Sequence, residues 1–121
     1  MPELPLPLPT VENAILPGFE IGSPTHQNSL DIVPGGWLAS FPASSGLLGG
    51  SAPTFEDPRV PWASSILGGL NGRSILELGP FEAYNTYQFH QAGAGPIVSI
   101  ESNLVFAFPN AVTISTFDVQ V

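Results

Sequence analysis

Three residues have the types and the spacing that suit a nucleotide-like ligand. Glu77 and Gly79 end one short apolar run, and Glu101 ends a second run. Glu101 follows the glycine at about the 20-residue distance typical of nucleotide-cofactor folds. In such folds a glycine lets the backbone approach the ligand, and the acid at the tip of the next strand binds both ribose hydroxyls. The pattern therefore predicts a ligand that contains ribose.

The charges around the glycine indicate which ligand the loop suits. Glu77 and Glu82 flank the loop, and no Arg or Lys lies near it in the sequence. Two carboxylates should repel a pyrophosphate, which a dinucleotide places over the helix N-terminus. S-adenosylmethionine (SAM) lacks phosphate and carries a cationic sulfonium and a cationic ammonium group. Phe81 and Ala83 also stand where a dinucleotide fingerprint has glycine. These residues favour SAM, with the start of a nicotinamide-dependent oxidoreductase as a less favoured alternative.

The elements that must position these residues form a strand–helix–strand unit. Ser74–Leu78 and Ile97–Glu101 are short apolar runs bounded by Gly or Pro, which is typical of buried strands. Between them, Tyr84–Ala92 has helical spacing, and Tyr84, Tyr87 and Phe89 are expected in the core or on the helix surface rather than at a ligand. A crossover helix between neighbouring strands predicts that the two strands are parallel.

A further helix is predicted before the first strand. Asp57 suits its N-cap, and Pro58 suits the first helical position. Arg59 is expected to pair with Asp57 or Glu56 in a bridge of small value. An apolar face at four-residue spacing would carry Trp62, Ile66 and Leu70. We further expect two aromatic anchors that pack the N-terminal segment onto the sheet, Trp37 and Trp62.

The predicted fold class is α/β, a partial Rossmann-like fold with a βαβ unit, a preceding helix and a Pro-rich N-terminal extension. Most of the 14 prolines lie before residue 63. We therefore divide the chain into a Pro/Gly-rich extension and loop over residues 1–54 and an incomplete cofactor-binding domain over residues 55–121. Val11–Leu16 is the short helical candidate of the extension. Leu104–Val121 receives no assignment, because Pro109 and the β-branched run Val112–Thr116 oppose the helix an intact fold would place there.

Three segments carry a resemblance to a known family. Gly-Arg-Ser-Ile-Leu-Glu-Leu-Gly-Pro-Phe-Glu-Ala, residues 72–83, resembles the first motif of class I SAM-dependent methyltransferases, in the subgroup with Glu-Leu-Gly-Pro-x-Glu. Ile97–Asn103 resembles the second motif, and Phe55–Trp62 resembles the segment before the first strand. The resemblance covers roughly Asn28 to Asn103. It implies that the methionine end of the cofactor lies against the loop after Leu78. It also implies that Glu101 binds the ribose and that the adenine lies beside Ser102 and Asn103. The cofactor-binding residues so implied are Glu77, Gly79, Pro80, Phe81 and Glu82 in the first loop, then Glu101, Ser102 and Asn103.

The resemblance implies methyl transfer from SAM to an acceptor that the sequence leaves unknown. The family's acceptor-binding and catalytic residues lie mostly after the second motif, where this chain departs from the pattern, so we nominate no catalytic residue. The family fold also has more strands than this chain supplies. We expect an incomplete and inactive cofactor-binding part, through truncation or a reading frame shifted near Leu104. The alternative from another class is a non-catalytic fragment or small binding module.

Composition excludes several other classes. The net charge is −8, with two basic residues and no cysteine. A chain so poor in Lys and Arg is not expected to bind nucleic acid or an anionic membrane. His26 and His90 are isolated, so no metal site is expected. We found no signal peptide and no apolar stretch long enough to span a bilayer, and predict a cytoplasmic protein. A chain this short is expected to be marginally stable and to expose apolar surface.

Overall fold

The computed structural model describes residues 22–121. The start of the predicted Pro-rich extension, which includes the helical candidate Val11–Leu16, lies outside these residues. In chain order, the helices and strands are α1 (His26–Asp31), α2 (Arg59–Leu67), β1 (Ile75–Leu78), α3 (Tyr84–Gln91), β2 (Ile97–Ile100) and α4 (Leu104–Thr116). Two short 3₁₀ turns, Ala43–Ser45 and Thr54–Glu56, precede α2.

The strands β1 and β2 pair in parallel, in a register that runs from Ile75 opposite Ile97 to Leu78 opposite Ile100. They make up the two-stranded sheet found in the described residues. Helix α3 connects them, so the predicted α/β class and the parallel pairing are confirmed. A further hydrogen bond, from the Gly79 N–H to the Ile100 carbonyl at 2.9 Å, continues the ladder beyond β1. The first residue of the loop after β1 therefore lies beside the end of β2.

One face of this sheet is uncovered by the described residues. Its four side chains are exposed by 67, 72, 55 and 53%, and we call them the open sheet face: Leu76, Leu78, Val98 and Ile100. On the opposite face Ile97 is 2% exposed. Parallel sheets are normally covered on both faces. The prediction of fully buried strands is therefore wrong, whereas the predicted exposed apolar surface is confirmed.

The hydrophobic core lies away from the open sheet face, between α1, the segment that leads to α2, and helices α3 and α4. Phe55 is at its centre, with its ring centroid 5.2 Å from Phe41, 5.4 Å from Tyr87 and 5.8 Å from Phe117. The core draws on residues from both sides of the predicted boundary at residue 54. Its buried members are Leu30, Val33, Ala39, Phe41, Phe55 and Val112, and Trp37 and Tyr84 are among the half-buried side chains around them.

Helix α2 begins and ends close to the predicted positions, but it packs on another face. The Asp57 carboxylate accepts the Arg59 N–H at 2.9 Å, and Gly68 ends the helix with a φ of 71°. Val60 is the buried residue of the helix, whereas Trp62 and Ile66 are 65% and 63% exposed. Leu70, the third residue of the predicted apolar face, is buried but lies beyond the end of α2. The face predicted for the helix and the Trp62 anchor are therefore wrong. Four-residue spacing identifies a stripe on a helix, but tertiary packing decides which stripe is buried.

Helix α4 is the largest departure from the sequence-based expectation. It runs through Pro109, although Pro109 and the β-branched run after it oppose a helix. Asn103 caps its first turn by accepting the Val105 N–H at 3.0 Å. Proline leaves the carbonyl four residues earlier without its helical donor. That carbonyl belongs to Val105, a residue that is 72% exposed in the first turn of the helix.

Tertiary packing explains why α4 forms. Its buried residues are Pro109, Val112 and Thr113, and the helix contacts both α1 and α3. Burial of an apolar stripe contributes more to helix stability than local propensity does. A helix thus follows Asn103, and the expectation that Leu104–Val121 opposes a helix is wrong. This helix has 13 residues, and none of the helices in residues 22–121 has the length and hydropathy needed to cross a membrane.

Candidate functional site

The loop between β1 and α3 has an unusual backbone. Gly79, Phe81 and Ala83 all have left-handed conformations, with φ values of 69°, 51° and 61°. For a residue other than glycine this conformation costs about 1 to 2 kcal/mol. Two such residues in one short loop persist only if the surroundings hold them, and such strain concentrates at functional sites. A hydrogen bond from the Ala83 N–H to the Pro80 carbonyl, 2.8 Å long, closes the loop on itself.

The Glu101 carboxylate holds the same loop from the neighbouring strand. Its Oε2 accepts the Phe81 N–H at 2.9 Å, and its Oε1 accepts the Asn103 N–H at 2.7 Å. Glu101 follows β2 and Phe81 follows β1, so the two segments meet at the carboxyl end of adjacent parallel strands. In open α/β sheets this is the end at which ligands bind. A carboxylate offers about four acceptor positions, so each oxygen retains the capacity for another hydrogen bond.

Two hydroxyl groups orient the Glu77 carboxylate by donating hydrogen bonds to it. Thr86 of α3 and Ser99 of β2 donate to its Oε2, at 2.5 and 2.9 Å. Thr86 is fully buried, so α3 fixes the carboxylate from inside the protein. Both hydrogen bonds that the Glu77 carboxylate makes to residues 22–121 fall on Oε2. Its Oε1 makes no hydrogen bond within the described residues.

A cavity of about 290 Å³ opens beside the carboxyl end of β1, and we call it the β1-edge cavity. It brings together four of the predicted site residues, Glu77, Gly79, Pro80 and Phe81. It also adds residues that sequence analysis had not placed at the site. These are Arg59, Tyr84 and Asn85, and the remaining lining comes from Leu76, Leu78 and Phe89.

Arg59 places a positive charge at this cavity. Its Nε donates to both oxygens of Asp57 at 3.0 Å, and its Nη2 donates to Oδ2. These hydrogen bonds from Arg59 lower the pKa of Asp57 to about 2, with a smaller contribution from the Asn85 side chain. Burial raises the pKa of Tyr84, and the Glu82 charge adds to this shift. The predicted pairing of Arg59 with Asp57 is confirmed. Although no Arg or Lys lies near the loop after β1 in the sequence, Arg59 lies close to it in space, because both line the same cavity.

Glu82 takes a different position from the other predicted residues. It is 2% exposed, and its two oxygens accept the backbone N–H groups of Leu38 and Ala39. It lies outside the lining of the β1-edge cavity and belongs instead to a cavity of about 330 Å³ that Trp37 and Phe106 also line. Its carboxylate thus fastens the loop to the segment before α2.

The last two predicted residues lie just after Glu101. Ser102 is exposed, and Asn103 caps α4 through its side chain. Both lie on the β2 side of the loop, outside the lining of the β1-edge cavity. The structure therefore places Glu101 in contact with the loop after β1 and places most of the first motif around the β1-edge cavity. Glu82 lies outside that cavity.

Comparison of the chain with protein-family models, with curated proteins and with solved structures gives no match. The class of protein is therefore defined by its own fold and site. It is an α/β chain in which a strained loop after one strand and an acid after the next parallel strand meet beside a cavity.

Proposed function

We propose that this chain is the SAM-binding part of a Rossmann-like class I methyltransferase of cytoplasmic location, acting on an acceptor still to be identified. The observation that carries the proposal is the hydrogen bond from the Phe81 N–H to Glu101. It joins the two segments that resemble the family's first and second motifs at the carboxyl end of a parallel pair. A ligand held by the acid would therefore also lie against the strained loop.

The donor and acceptor groups suit the two ends of SAM. On the β2 side, the free acceptor positions of Glu101 match a ribose with two hydroxyl donors. On the β1 side, Glu77 lines a cavity, and its carboxylate would suit a cationic ammonium group. The loop from Gly79 to Phe81 lies between these two acids. The cavity of about 290 Å³ is at the low end for ligand sites, so it suits the amino-acid end rather than the whole molecule.

SAM supplies an electrophilic methyl group on a sulfonium when it is bound. The residues of this chain would bind and orient it, which can account for several kcal/mol of a displacement barrier. No described residue is assigned as a general base, because a base is needed only where the acceptor must lose a proton. The open sheet face fits a domain that is completed by further elements. We therefore propose cofactor binding for this chain and no methyl transfer by it alone.

Thermal unfolding with and without excess S-adenosylhomocysteine tests the proposal. Ligand at 100 times its Kd stabilises the folded state by about 2.7 kcal/mol, which raises the unfolding midpoint. Glu101→Gln should reduce this rise, whereas Glu56→Gln, the same change at an exposed acid outside the β1-edge cavity, should preserve it. A cooperative transition that does not move with the ligand overturns the proposal. A larger rise with NAD than with S-adenosylhomocysteine would favour the oxidoreductase alternative.

A non-catalytic binding module is the second candidate, and the open sheet face favours it. Four exposed apolar side chains on a parallel sheet offer a surface that a protein partner could cover. The two candidates differ in one property, which is cofactor binding. A folded chain that binds neither S-adenosylhomocysteine nor NAD would favour the binding module.

A further inference from the structure

We propose that Arg59 binds the carboxylate at the amino-acid end of the ligand in the β1-edge cavity. This inference rests on the proposed function, which places that end of the cofactor beside Glu77. Nothing in the sequence motifs assigns a group to the carboxylate, since the first and second motifs contribute acids and glycine there. Helix α2, which lies outside both motifs, contributes the missing cation.

The Arg59 side chain is fixed and accessible at the same time. Its contacts with Asp57 use the Nε and Nη2 atoms, and Nη1 makes no hydrogen bond to any residue in the described part of the chain. The Arg59 side chain is 77% exposed, whereas that of Asp57 is 9% exposed. Arginine presents five N–H donors in a rigid plane, so a carboxylate held at one edge leaves the other edge free. A guanidinium oriented in this way is suited to a second carboxylate.

The charges of the cavity match an amino-acid group. Glu77 contributes a carboxylate to its wall and Arg59 contributes a guanidinium. An amino-acid end carries one ammonium and one carboxylate on a single carbon, so it needs one partner of each sign. The other basic residue of the chain is Arg73, which donates to the carbonyl groups of Leu67 and Gly69 at the end of α2. Arg59 is thus the cation available to this site.

Calorimetric titration of the full chain with two ligands tests the inference. The first is S-adenosylhomocysteine, and the second is its decarboxylated analogue, which keeps the adenosine, the thioether and the amine. The unmodified chain should bind the first ligand about tenfold to hundredfold more tightly, the range for a hydrogen bond between charged groups. Arg59→Gln should remove this preference by weakening the first ligand alone. Arg73→Gln, which removes the same charge elsewhere, should retain the preference.

The possible results separate the two proposals. If neither ligand binds the unmodified chain, the proposed function fails and this inference fails with it. If both bind equally well, cofactor binding stands and the carboxylate site is overturned. A preference that survives Arg59→Gln also overturns it. Should Arg59→Gln unfold because Asp57 loses its partner, the double variant Asp57→Asn and Arg59→Gln replaces the ion pair with two neutral amides. That double variant should bind the decarboxylated analogue as tightly as the unmodified chain does, and should bind S-adenosylhomocysteine no more tightly than the analogue.

Discussion

The Oε1 atom of Glu82 accepts the backbone N–H of Ala39 at 2.8 Å, across a separation of 43 residues. The same carboxylate accepts the N–H of Leu38. Both residues belong to the segment that carries Trp37 and Phe41 into the core. A buried acid in the loop after β1 thus holds the N-terminal half of the core in place, and the loop and the core are expected to unfold together.

Glu82→Gln should lower the free energy of unfolding by about 1 to 3 kcal/mol, the usual effect of weakening hydrogen bonds to a buried charged acceptor. An amide retains one acceptor oxygen but loses the charge that strengthens both contacts. Urea denaturation measures the effect. Glu56→Gln at an exposed position should change the value by no more than about 0.5 kcal/mol. Equal values for the two variants would show that the contacts to Leu38 and Ala39 contribute little.

The left-handed backbone at Gly79 leads to a second prediction. Beyond the two neighbouring residues of the chain, no atom would lie within 4 Å of a Cβ added at this position. A side chain therefore meets open space, and only the φ of 69° opposes it. Gly79→Ala should cost about 1 to 2 kcal/mol. Gly79→Asn should cost less, although asparagine is larger, because asparagine tolerates left-handed conformations. A greater loss with Asn than with Ala in urea denaturation would mean that space, not conformation, restricts this position.

The ion pair between Asp57 and Arg59 should make stability depend on pH. Hydrogen bonds from Arg59 lower the pKa of Asp57 from 3.8 to about 2. The pair therefore stabilises the folded chain at pH values above 3.8, and this stabilisation is lost as the pH falls towards about 2. The stability difference between the unmodified chain and Asp57→Asn should shrink over this interval. In an Arg59→Gln background the same dependence should be weaker, because the guanidinium hydrogen bonds are lost while the backbone N–H of residue 59 still donates to Asp57. A difference that grows as the pH falls would contradict the assignment.

Phe55 should be among the positions most sensitive to substitution. It is 4% exposed, and its ring contacts those of Phe41, Tyr87 and Phe117. Phe55→Leu should destabilise the fold by about 1 to 3 kcal/mol, because the smaller side chain leaves space among these rings. Phe108→Leu makes the same change at a residue that is 47% exposed, and should have a much smaller effect. If the two variants lower the midpoint of thermal unfolding equally, Phe55 is not part of the hydrophobic core.

The sequence was informative where local signals agree with tertiary packing. Both strands follow from short apolar runs bounded by glycine or proline, α3 follows from helical spacing, and glycine marks the end of α2. The observed strands and α3 differ from the predicted ranges by one residue at an end. The contact between Glu101 and the loop after β1 follows from the parallel pairing, because the carboxyl ends of adjacent parallel strands lie side by side. These features depend on backbone chemistry that a short window of sequence contains.

Other features depend on contacts between distant segments. Helix α4 forms because it buries Pro109, Val112 and Thr113, with Val112 in the hydrophobic core, and no local pattern outweighs Pro109. Arg59 reaches the cavity because α2 packs beside α3, a relation that the spacing along the chain does not contain. Helix α1 does have a local signal, a capping box that the predicted elements did not include. In it the Thr25 side chain accepts the Asn28 N–H, and the Asn28 side chain accepts the Thr25 N–H.

The open sheet face has a consequence for how the protein behaves in concentrated solution. With a net charge of −8, copies of the chain repel one another in dilute buffer, where the screening length is about 30 Å at 0.01 M salt. At 1 M salt that length falls to about 3 Å, and attraction between the apolar faces remains. The second virial coefficient from light scattering should therefore change from positive to negative as salt is added. Leu78→Ser, at a side chain 72% exposed, should move that change to higher salt without lowering the unfolding midpoint.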